Sequence, residues 1–365
     1  MGMKIAIIGA GNAGCITALH YQKYLSEQSI NFEIELYHSP HYYPIEKVGQ
    51  GTTLSISEII ADVLDINWYN NPIGATFKSG ILYEGWGRKN EKIFHPFQWN
   101  NMGIHFVPKK LSEVVCNSGF LKVKDQTIKN PEEEIDADVI FDCRGRHNRD
   151  KNNYDTLTNP LNSVLLSKKY DRNPDLIYTR CVATPNGWTF VIPNQDSVSY
   201  GYLYNNTITK RDDAIEDFTS RFNLDYIIDE LIFENYMAKN FYNGQRTILQ
   251  GNMYGFIEPM EATSLGFYQF LCRQSWDLIF KIQSYEYCNN KIRTNMKQLE
   301  SIILWHYQNG SKFDTPFWEY AKSLPFNPDD KFLEMISDEK NDPEQYGQWK
   351  KWQFDNWKNG VMIAK

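Results

Sequence analysis

The chain lacks any apolar run long enough to cross a membrane, and it lacks a block of basic residues. Its formal net charge is −7. These absences argue against a membrane protein, a nucleic-acid partner and binding to an anionic membrane surface. The N-terminus also lacks the charged start and cleavage site of a secretory signal, so we expect a cytoplasmic protein.

Cysteine is sparse and irregularly placed. None of the six cysteines stands in a C-x-x-C pair. This spacing argues against a disulfide framework and against a zinc site. We therefore expect free thiols in a reducing compartment and no bound metal.

Aromatic residues, in contrast, are abundant. The 10 Trp, 23 Tyr and 21 Phe make up 15% of the 365 residues. Many of them must form the core, because a chain of this length can bury one large core or two smaller ones. A surplus of tryptophan in loops also suits a pocket for a flat organic ligand.

The N-terminal segment has the pattern of a dinucleotide-binding unit. An apolar run, Lys4–Ile8, leads into the turn GAGNAG, followed by a helical pattern through Tyr24 and a second strand, Phe32–Tyr37. Such a turn lets a pyrophosphate approach the backbone at a helix N-terminus. The expected cofactor contacts are Gly9, Gly11, Ala13 and Gly14. Where an acidic ribose ligand is usual, the chain has His38, which can still hydrogen-bond a hydroxyl.

Two further segments allow two interpretations each. The glycines and hydroxyls of Val48–Thr53 fit either a strap against a cofactor, through Gly49, Gln50 and Thr52, or a plain loop before a helix. Lys78 lies in an otherwise apolar, strand-like run. Such a lysine is either on the solvent face or a strong donor with a lowered pKa in an apolar wall.

The segment from Gly255 to Leu265, GFIEPMEATSL, places a carboxylate directly before a long helical pattern. Thr263 and Ser264 fall at the expected helix start, where unpaired N–H groups can hold an anion. Glu261 is close enough to act on whatever reacts there. The simpler alternative is a helix start whose acidic residue only favours the helix dipole.

The remaining patterns predict the secondary structure around these motifs. We expect a surface connection over Arg149–Arg172, antiparallel strands from Leu176 to Tyr204, and a helix over Arg211–Glu234. Two long amphipathic helices follow, over Phe267–Tyr285 and Ile292–Tyr307. The strand before Gly145 resembles the closing strand of FAD-binding domains, which makes Gly145 a cofactor contact.

Taken in order, the segments GAGNAG, GATFK, GWTFVIP, FIEPMEAT, DTPFW and NWKNG resemble the flavin-dependent halogenases of the tryptophan-halogenase type. The likeness runs through most of the chain. It implies an α/β (α+β) Rossmann-like FAD-binding fold of the FAD-monooxygenase and halogenase superfamily, with an antiparallel sheet. We expect an FAD-binding domain over residues 1–275, with inserted strands at about 175–205, and a helical substrate-binding region over 276–365.

The resemblance also assigns roles to residues. It places catalysis on Lys78 and Glu261 and halide binding on the backbone of Thr263 and Ser264. The W-x-W-x-I-P signature of the family appears here with phenylalanine in place of its second tryptophan. From the signature and the aromatic segments we expect Trp188 and Pro193 at the cofactor, and, at the substrate, His95, Phe190 and Trp357.

The implied reaction halogenates an electron-rich aromatic compound such as an indole or a phenol. FADH2 from a separate flavin reductase, oxygen and a halide (chloride, bromide or iodide) yield hypohalous acid, which travels to Lys78. The lysine either hydrogen-bonds this acid or forms a haloamine, and Glu261 polarises it or takes the ring proton. We also expect a homo-oligomer.

Three other functions remain open at this point. The weakest is a flavin reductase or a desaturase that acts on a lipid, which would share only the glycine motif. A flavin monooxygenase that hydroxylates an aromatic substrate would need neither the lysine nor a halide. A degenerate relative would bind flavin or a partner without catalysis.

Overall fold

The computed structural model describes residues 2–39, 47–52, 54–87, 92–97, 103–146, 149–171, 176–337 and 345–361. Within these ranges the helices are α1 Asn12–Glu27, α2 Leu54–Leu64, α3 Pro108–Cys116, α4 Pro131–Glu134, α5 Arg211–Phe222, α6 Thr263–Ile279, α7 Tyr285–Asn309, α8 Pro316–Ser323, α9 Asp330–Ile336 and α10 Lys351–Val361. The strands in the same ranges are β1 Met3–Ile8, β2 Phe32–His38, β3 Gln50–Gly51, β4 Thr76–Lys78, β5 Gly80–Glu84, β6 Lys92–Pro96, β7 Gly103–Phe106, β8 Lys122–Asp125, β9 Val139–Asp142, β10 Tyr154–Thr156, β11 Ser163–Lys169, β12 Thr179–Thr184, β13 Gly187–Pro193, β14 Val198–Tyr204, β15 Asp229–Ile232, β16 Tyr236–Ala238, β17 Thr247–Leu249 and β18 Gly255–Phe256.

A parallel sheet is built around β1. Among the described residues its order is β17-β9-β1-β2-β8, and every neighbouring pair is parallel. The central strand reads MKIAII and is buried from Ile5 onward, as expected for a strand covered on both faces. This is the predicted Rossmann-like arrangement, and it places the glycine turn at the C-terminal end of β1.

A second, mostly antiparallel sheet holds the middle of the chain. Its order within the described ranges is β15-β11-β14-β13-β12-β5-β6. Strand β13, GWTFVIP, is buried at every position and pairs with β12 and β14. The predicted antiparallel strands therefore exist, and β5 joins their sheet by parallel pairing with β12.

Two secondary-structure predictions were wrong. The stretch Arg149–Arg172 is not a surface connection, because its apolar centre forms strand β11, which lies between β14 and β15 and is buried from Ser163 to Ser167. The helix expected over Arg211–Glu234 ends at Phe222. There Asn223 adopts a left-handed conformation (φ 51°) that closes the helix, and the chain continues into β15.

The helices of the second half pack against one another, against the N-terminal helices and against the antiparallel sheet. Helix α6 contacts α1 and α2, and α7 lies against α6 and α8. A single apolar cluster runs from Ile5 in β1 to Trp357 in α10. The proposed boundary at residue 275 falls inside α6 and stays a prediction.

Within the described part of the chain, none of the helices combines the length and apolar character needed to cross a lipid bilayer. The same residues contain no group of three or more His, Cys, Asp or Glu side chains that could hold a metal ion.

Candidate active site

Lys78 is fully buried at the end of β4, which pairs with β7. Its Nζ lies 3.4 Å from the backbone oxygen of Thr52 and 5.2 Å from the ring centre of Phe97. Burial lowers the pKa of Lys78 to about 8, against the opposing effects of Cys181 and of the negative charge of Glu261. Lys78 is therefore a buried lysine with a lowered pKa, and the alternative of a lysine on the solvent face is wrong.

His105 is a neighbour of Lys78 that the sequence did not single out. It is completely buried, and its Nε2 lies 2.9 Å from Thr179 Oγ1. Burial holds the pKa of His105 well below its usual value, and the charge of Lys78 lowers it further. The imidazole is therefore neutral beside the lysine.

The backbone at Glu261 is bent into an uncommon shape. Glu261 (φ 68°) and Ala262 (φ 52°) both adopt left-handed conformations, immediately before α6 begins at Thr263. Such a conformation costs about 1–2 kcal/mol for a residue with a side chain. The bend buries the Glu261 side chain while leaving the first N–H groups of α6 next to it.

The Glu261 carboxylate is held at both oxygens. Oε1 lies 2.9 Å from His306 Nε2, and Oε2 accepts a hydrogen bond of 2.8 Å from Trp349 Nε1. Glu261 is near enough for its charge to raise the pKa of Lys78, although the ammonium group is hydrogen-bonded to Thr52. The structure thus brings the two predicted catalytic residues into one buried site.

A second carboxylate, Glu258, lies three residues earlier and is also buried. It accepts hydrogen bonds from Trp188 Nε1 (2.8 Å), Tyr307 Oη (2.7 Å) and Asn159 Nδ2 (3.1 Å). Burial raises the pKa of Glu258, and these three donors partly offset that effect. The indole N–H of Trp188, expected at the cofactor, is therefore used to bind Glu258.

Aromatic side chains form a wall beside Glu261. The Trp357 ring centre lies 4.2 Å from that of His306, 4.9 Å from Tyr83 and 6.2 Å from His95. Burial lowers the pKa of His95 to about 3, and electrostatic repulsion from the neighbouring His306 adds to the effect. Two of the predicted substrate residues, His95 and Trp357, are thus brought together. The third, Phe190, instead packs its ring over Gly201, where an added Cβ would lie 2.1 Å from the ring.

This wall carries buried polar atoms. Tyr83 Oη, both ring nitrogens of His95 and Trp357 Nε1 have no hydrogen-bond partner among the described residues. Buried polar groups are normally hydrogen-bonded, so these atoms are suited to a ligand that can donate and accept hydrogen bonds.

The start of α6 can hold an anion. Thr263 is 2% exposed, and its Oγ1 has no hydrogen-bond partner within the described part of the chain. No side chain caps this helix start. Thr263 and Ser264 line a small cavity together with Asn252, Gly255, Phe256, Ile257, Phe267, Tyr268, Met296 and Leu299. A free hydroxyl and unpaired N–H groups in an apolar cavity are suitable ligands for a halide.

The glycine turn after β1 fits the pyrophosphate of a dinucleotide. Gly9 has φ +105°, and a Cβ on Gly14 would lie 1.9 Å from the Gly9 oxygen. Helix α1 begins after Gly11 without a side-chain cap, and the buried Oδ1 of Asn12 has no partner in the described ranges. Ala13 is buried in the first turn of the helix. This turn is therefore free to bind phosphate oxygens.

The other predicted cofactor residues lie on the strap before α2 and at the ends of β2, β9 and β13. The segment before α2 pairs with β7, and Gly49 N donates to Ser199 Oγ (3.0 Å). Thr52 closes this strap against Lys78, which favours the strap over a plain loop. Gly145 follows β9 with φ +81°, and His38 ends β2. At the end of β13, the Pro193 oxygen accepts a hydrogen bond from Thr76.

Sequence reasoning missed the partners of the two glutamates. His306 and Tyr307 are adjacent on α7, and they reach Glu261 and Glu258 respectively. A histidine within the apolar pattern IILWHY was the available signal. It could not be paired with a loop 45 residues away by spacing alone.

The family model for tryptophan halogenases matches residues 4–111 and 98–364 of this chain. The chain belongs to the tryptophan halogenase family. The members of this family are flavin-dependent oxidoreductases. Among curated relatives of this family, the tryptophan 7-halogenase RebH of Lentzea aerocolonigenes is 24% identical over 248 residues, which cover 62% of this chain and 46% of that protein.

Solved structures of the halogenase family share the fold. A flavin-dependent halogenase from Xanthomonas campestris superimposes with a TM-score of 0.81 at 17% identity, over 99% of this chain and 90% of that one. The tryptophan C-6 flavin-dependent halogenase of taromycin biosynthesis superimposes with a TM-score of 0.82 at 16% identity, over 99% of this chain and 90% of that one. The Rossmann-like α/β fold expected from the sequence is thereby confirmed. The matched part of the chain spans less than half the length of the curated RebH.

Proposed function

We propose that this chain is a FADH2-dependent halogenase that uses oxygen and a halide to halogenate an electron-rich aromatic compound at Lys78. The reduced flavin is delivered by a separate flavin reductase. When bound, the reduced flavin would activate oxygen, and this oxygen would be the two-electron oxidant that turns halide into hypohalous acid. The glycine turn after β1 and the strap through Thr52 would hold the flavin.

The observation that carries this proposal is the burial of Lys78. A buried ammonium is costly, and the chain retains one with a pKa of about 8, beside the strap at Thr52 and the ring of Phe97. With a pKa in this range, the group can donate a hydrogen bond to hypohalous acid or react with it as an amine. In either case it fixes the electrophile in a site that excludes water.

Glu261 would act as the general base. Halogen transfer to an aromatic ring leaves a cation that must lose a proton from the substituted carbon. Glu261 is buried near Lys78 and is oriented by two hydrogen bonds. A fixed carboxylate at this position can take the proton and stabilise the cationic ring before the transfer.

The aromatic wall indicates the substrate class. Its unpartnered atoms, on Tyr83, His95 and Trp357, are neutral donors and acceptors. Neutral groups suit the hydroxyl of a phenol or the N–H of an indole, whereas the head group of a free amino acid needs charged partners. We therefore propose a neutral indole or phenol as the substrate.

The test combines the purified protein with FAD, a flavin reductase and NADH, and offers indole, a phenol and free tryptophan with chloride, bromide or iodide. Products are identified by mass spectrometry. We expect halide-dependent halogenated indole or phenol, with kcat/KM for indole at least about tenfold above that for tryptophan.

Each other result has a defined meaning. A hydroxylated product that forms without halide would establish the monooxygenase alternative. Flavin binding with no product from any substrate would favour a non-catalytic relative. Faster turnover of free tryptophan than of indole would contradict the substrate class.

A further inference from the structure

We propose that His306 is a positioning residue for Glu261, and that the two residues share one proton in the resting protein. The inference rests on the proposed function, because it assigns to His306 a part in the step for which Glu261 is the base. It follows from the hydrogen bonds around a buried imidazole.

Both nitrogens of His306 face acceptors. Nδ1 lies 2.7 Å from the backbone oxygen of Ile302, and Nε2 lies 2.9 Å from Glu261 Oε1. A carbonyl oxygen can only accept, so Nδ1 carries a hydrogen. A neutral imidazole would then present a bare nitrogen to an ionised carboxylate, and two lone pairs would meet in a site that is closed to water.

One additional proton removes this conflict. It is located either on Nε2, giving an imidazolium and a carboxylate, or on Oε1, giving a neutral acid that donates to Nε2. Both forms have a net charge of zero. In the first form Glu261 is ionised and able to accept a proton. The imidazolium beside it offsets the high cost of burying an unpaired carboxylate.

The surroundings fix the imidazole in place. Its Nδ1 bond lies within one turn of α7, and its ring packs against Trp357 (4.2 Å), Trp349 (5.3 Å) and Tyr83 (5.7 Å). Trp349 also donates to the other oxygen of Glu261. The carboxylate is therefore held from two sides by groups that cannot rotate away.

The geometry distinguishes positioning from proton relay. Nδ1 is bonded to a backbone carbonyl, which has no proton to exchange onward. The proton that Glu261 takes from the ring carbon is therefore not passed on through His306, and the electron pair of the broken C–H bond restores the aromatic ring. The hydroxide that leaves hypohalous acid when the carbon–halogen bond forms combines with this proton to give water. Over the whole step, the aromatic compound and hypohalous acid give the halogenated compound and water.

The experiment uses the full-length protein with FAD, reductase, NADH and bromide, and compares the wild type with His306→Gln. Three quantities are measured: trapped hypohalous acid, the rate of product formation, and the isotope ratio in product from a mixture of protiated and ring-deuterated indole. We expect unchanged hypohalous acid and a product rate lower by about ten- to a hundredfold. The isotope effect should rise from near one to about two or more, because ring deprotonation becomes the slow step.

Two further variants complete the test. Trp349→Phe removes the second hydrogen bond to Glu261 and should raise the isotope effect in the same direction, which keeps the proposal testable if His306→Gln does not fold. Tyr202→Phe removes a hydroxyl that donates to Asp217 (2.8 Å) on the antiparallel sheet, and it should leave all three quantities unchanged.

A lower product rate with an isotope effect that stays near one would overturn the proposal and make His306 a structural residue. A parallel loss of hypohalous acid would also overturn it, because the defect would then precede proton removal. If the wild type itself forms no hypohalous acid, the proposed function fails, and that result is visible before any variant is compared.

Discussion

Burial of Lys78 destabilises its charged form, although the proposed function places this lysine at the centre of the reaction. In water a lysine side chain is protonated up to a pKa near 10.5, whereas burial brings the pKa of Lys78 to about 8. The folded state therefore binds fewer protons than the unfolded state between these two values. The protonated lysine thus destabilises the fold below pH 8, and this cost is relieved as the pH rises toward 10.5.

We predict that Lys78→Met raises the free energy of unfolding at pH 7. Relative to the wild type, this advantage should shrink by about 2–3 kcal/mol between pH 7 and pH 10, because the buried ammonium loses its proton over that interval. Urea denaturation of both proteins at the two pH values measures the difference. An advantage that is independent of pH would show that Lys78 titrates like an exposed lysine.

At this scale the sequence indicated residue types and left their partners open. Lys78 and Glu261 could be chosen because a family pattern marks them, and the structure brings both into one buried site. His105, His306 and Trp349 carry no comparable motif. They matter because they contact side chains from distant elements, and neither residue spacing nor periodicity predicts such contacts.

Helix α7 is the element that organises the site. Two adjacent side chains, His306 and Tyr307, bind the two carboxylates of the short segment Glu258-Pro259-Met260-Glu261. Helix α6 starts directly after this segment, so the same bend that buries Glu261 also exposes the helix N-terminus to the cavity. The proposed base, Glu261, therefore lies no more than three residues along the backbone from the proposed halide site at Thr263 and Ser264.

We predict that Thr263→Val raises the KM for halide by about tenfold or more, since a hydrogen bond to an anion contributes about 1.5–3 kcal/mol. The free energy of unfolding should stay within about 1 kcal/mol of the wild type, because the hydroxyl has no hydrogen-bond partner among the residues that the structure describes. Steady-state kinetics with varied bromide measure the first quantity and urea denaturation the second.

The matched control is Thr189→Val. Thr189 is also completely buried, and its hydroxyl has no hydrogen-bond partner in the described ranges, but it lies in β13. Its replacement should leave the KM for halide unchanged. An equal effect of both substitutions on KM would remove the halide site from the start of α6.

At the scale of elements, local sequence patterns predicted the long helices. They failed where a few residues determine the structure, as in a short strand or at the end of a helix. The amphipathic patterns identified α6 and α7, with boundaries shifted by several residues. Strand β11 was missed because its apolar centre, Val164-Leu165-Leu166, is short and lies between polar ends. The helix over Arg211–Glu234 was drawn too long, because the single residue Asn223 ends it by its left-handed conformation.

At the scale of the whole molecule, the two sheets carry different parts of the proposed site. The parallel sheet supplies the glycine turn for the cofactor, and the antiparallel sheet supplies Trp188 and the wall around Tyr83. The C-terminal helices close the arrangement with His306 and Trp357. The order of motifs along the chain predicted a Rossmann-like fold with an antiparallel sheet. The contacts from α7 to both glutamates could be seen only in the three-dimensional structure.

The most direct test of the proposed role of Lys78 compares the wild type, Lys78→Met and Lys122→Met. Each protein is supplied with FAD, flavin reductase, NADH, bromide and indole, and trapped hypohalous acid and brominated indole are quantified in parallel. Lys122 is an exposed lysine paired with Glu33, so its substitution should change neither quantity.

For Lys78→Met we predict undiminished flavin binding and hypohalous acid, with brominated indole reduced by about a hundredfold or more, because the electrophile is formed but no longer positioned. Brominated indole at the wild-type rate from Lys78→Met would contradict the central claim that Lys78 directs halogenation.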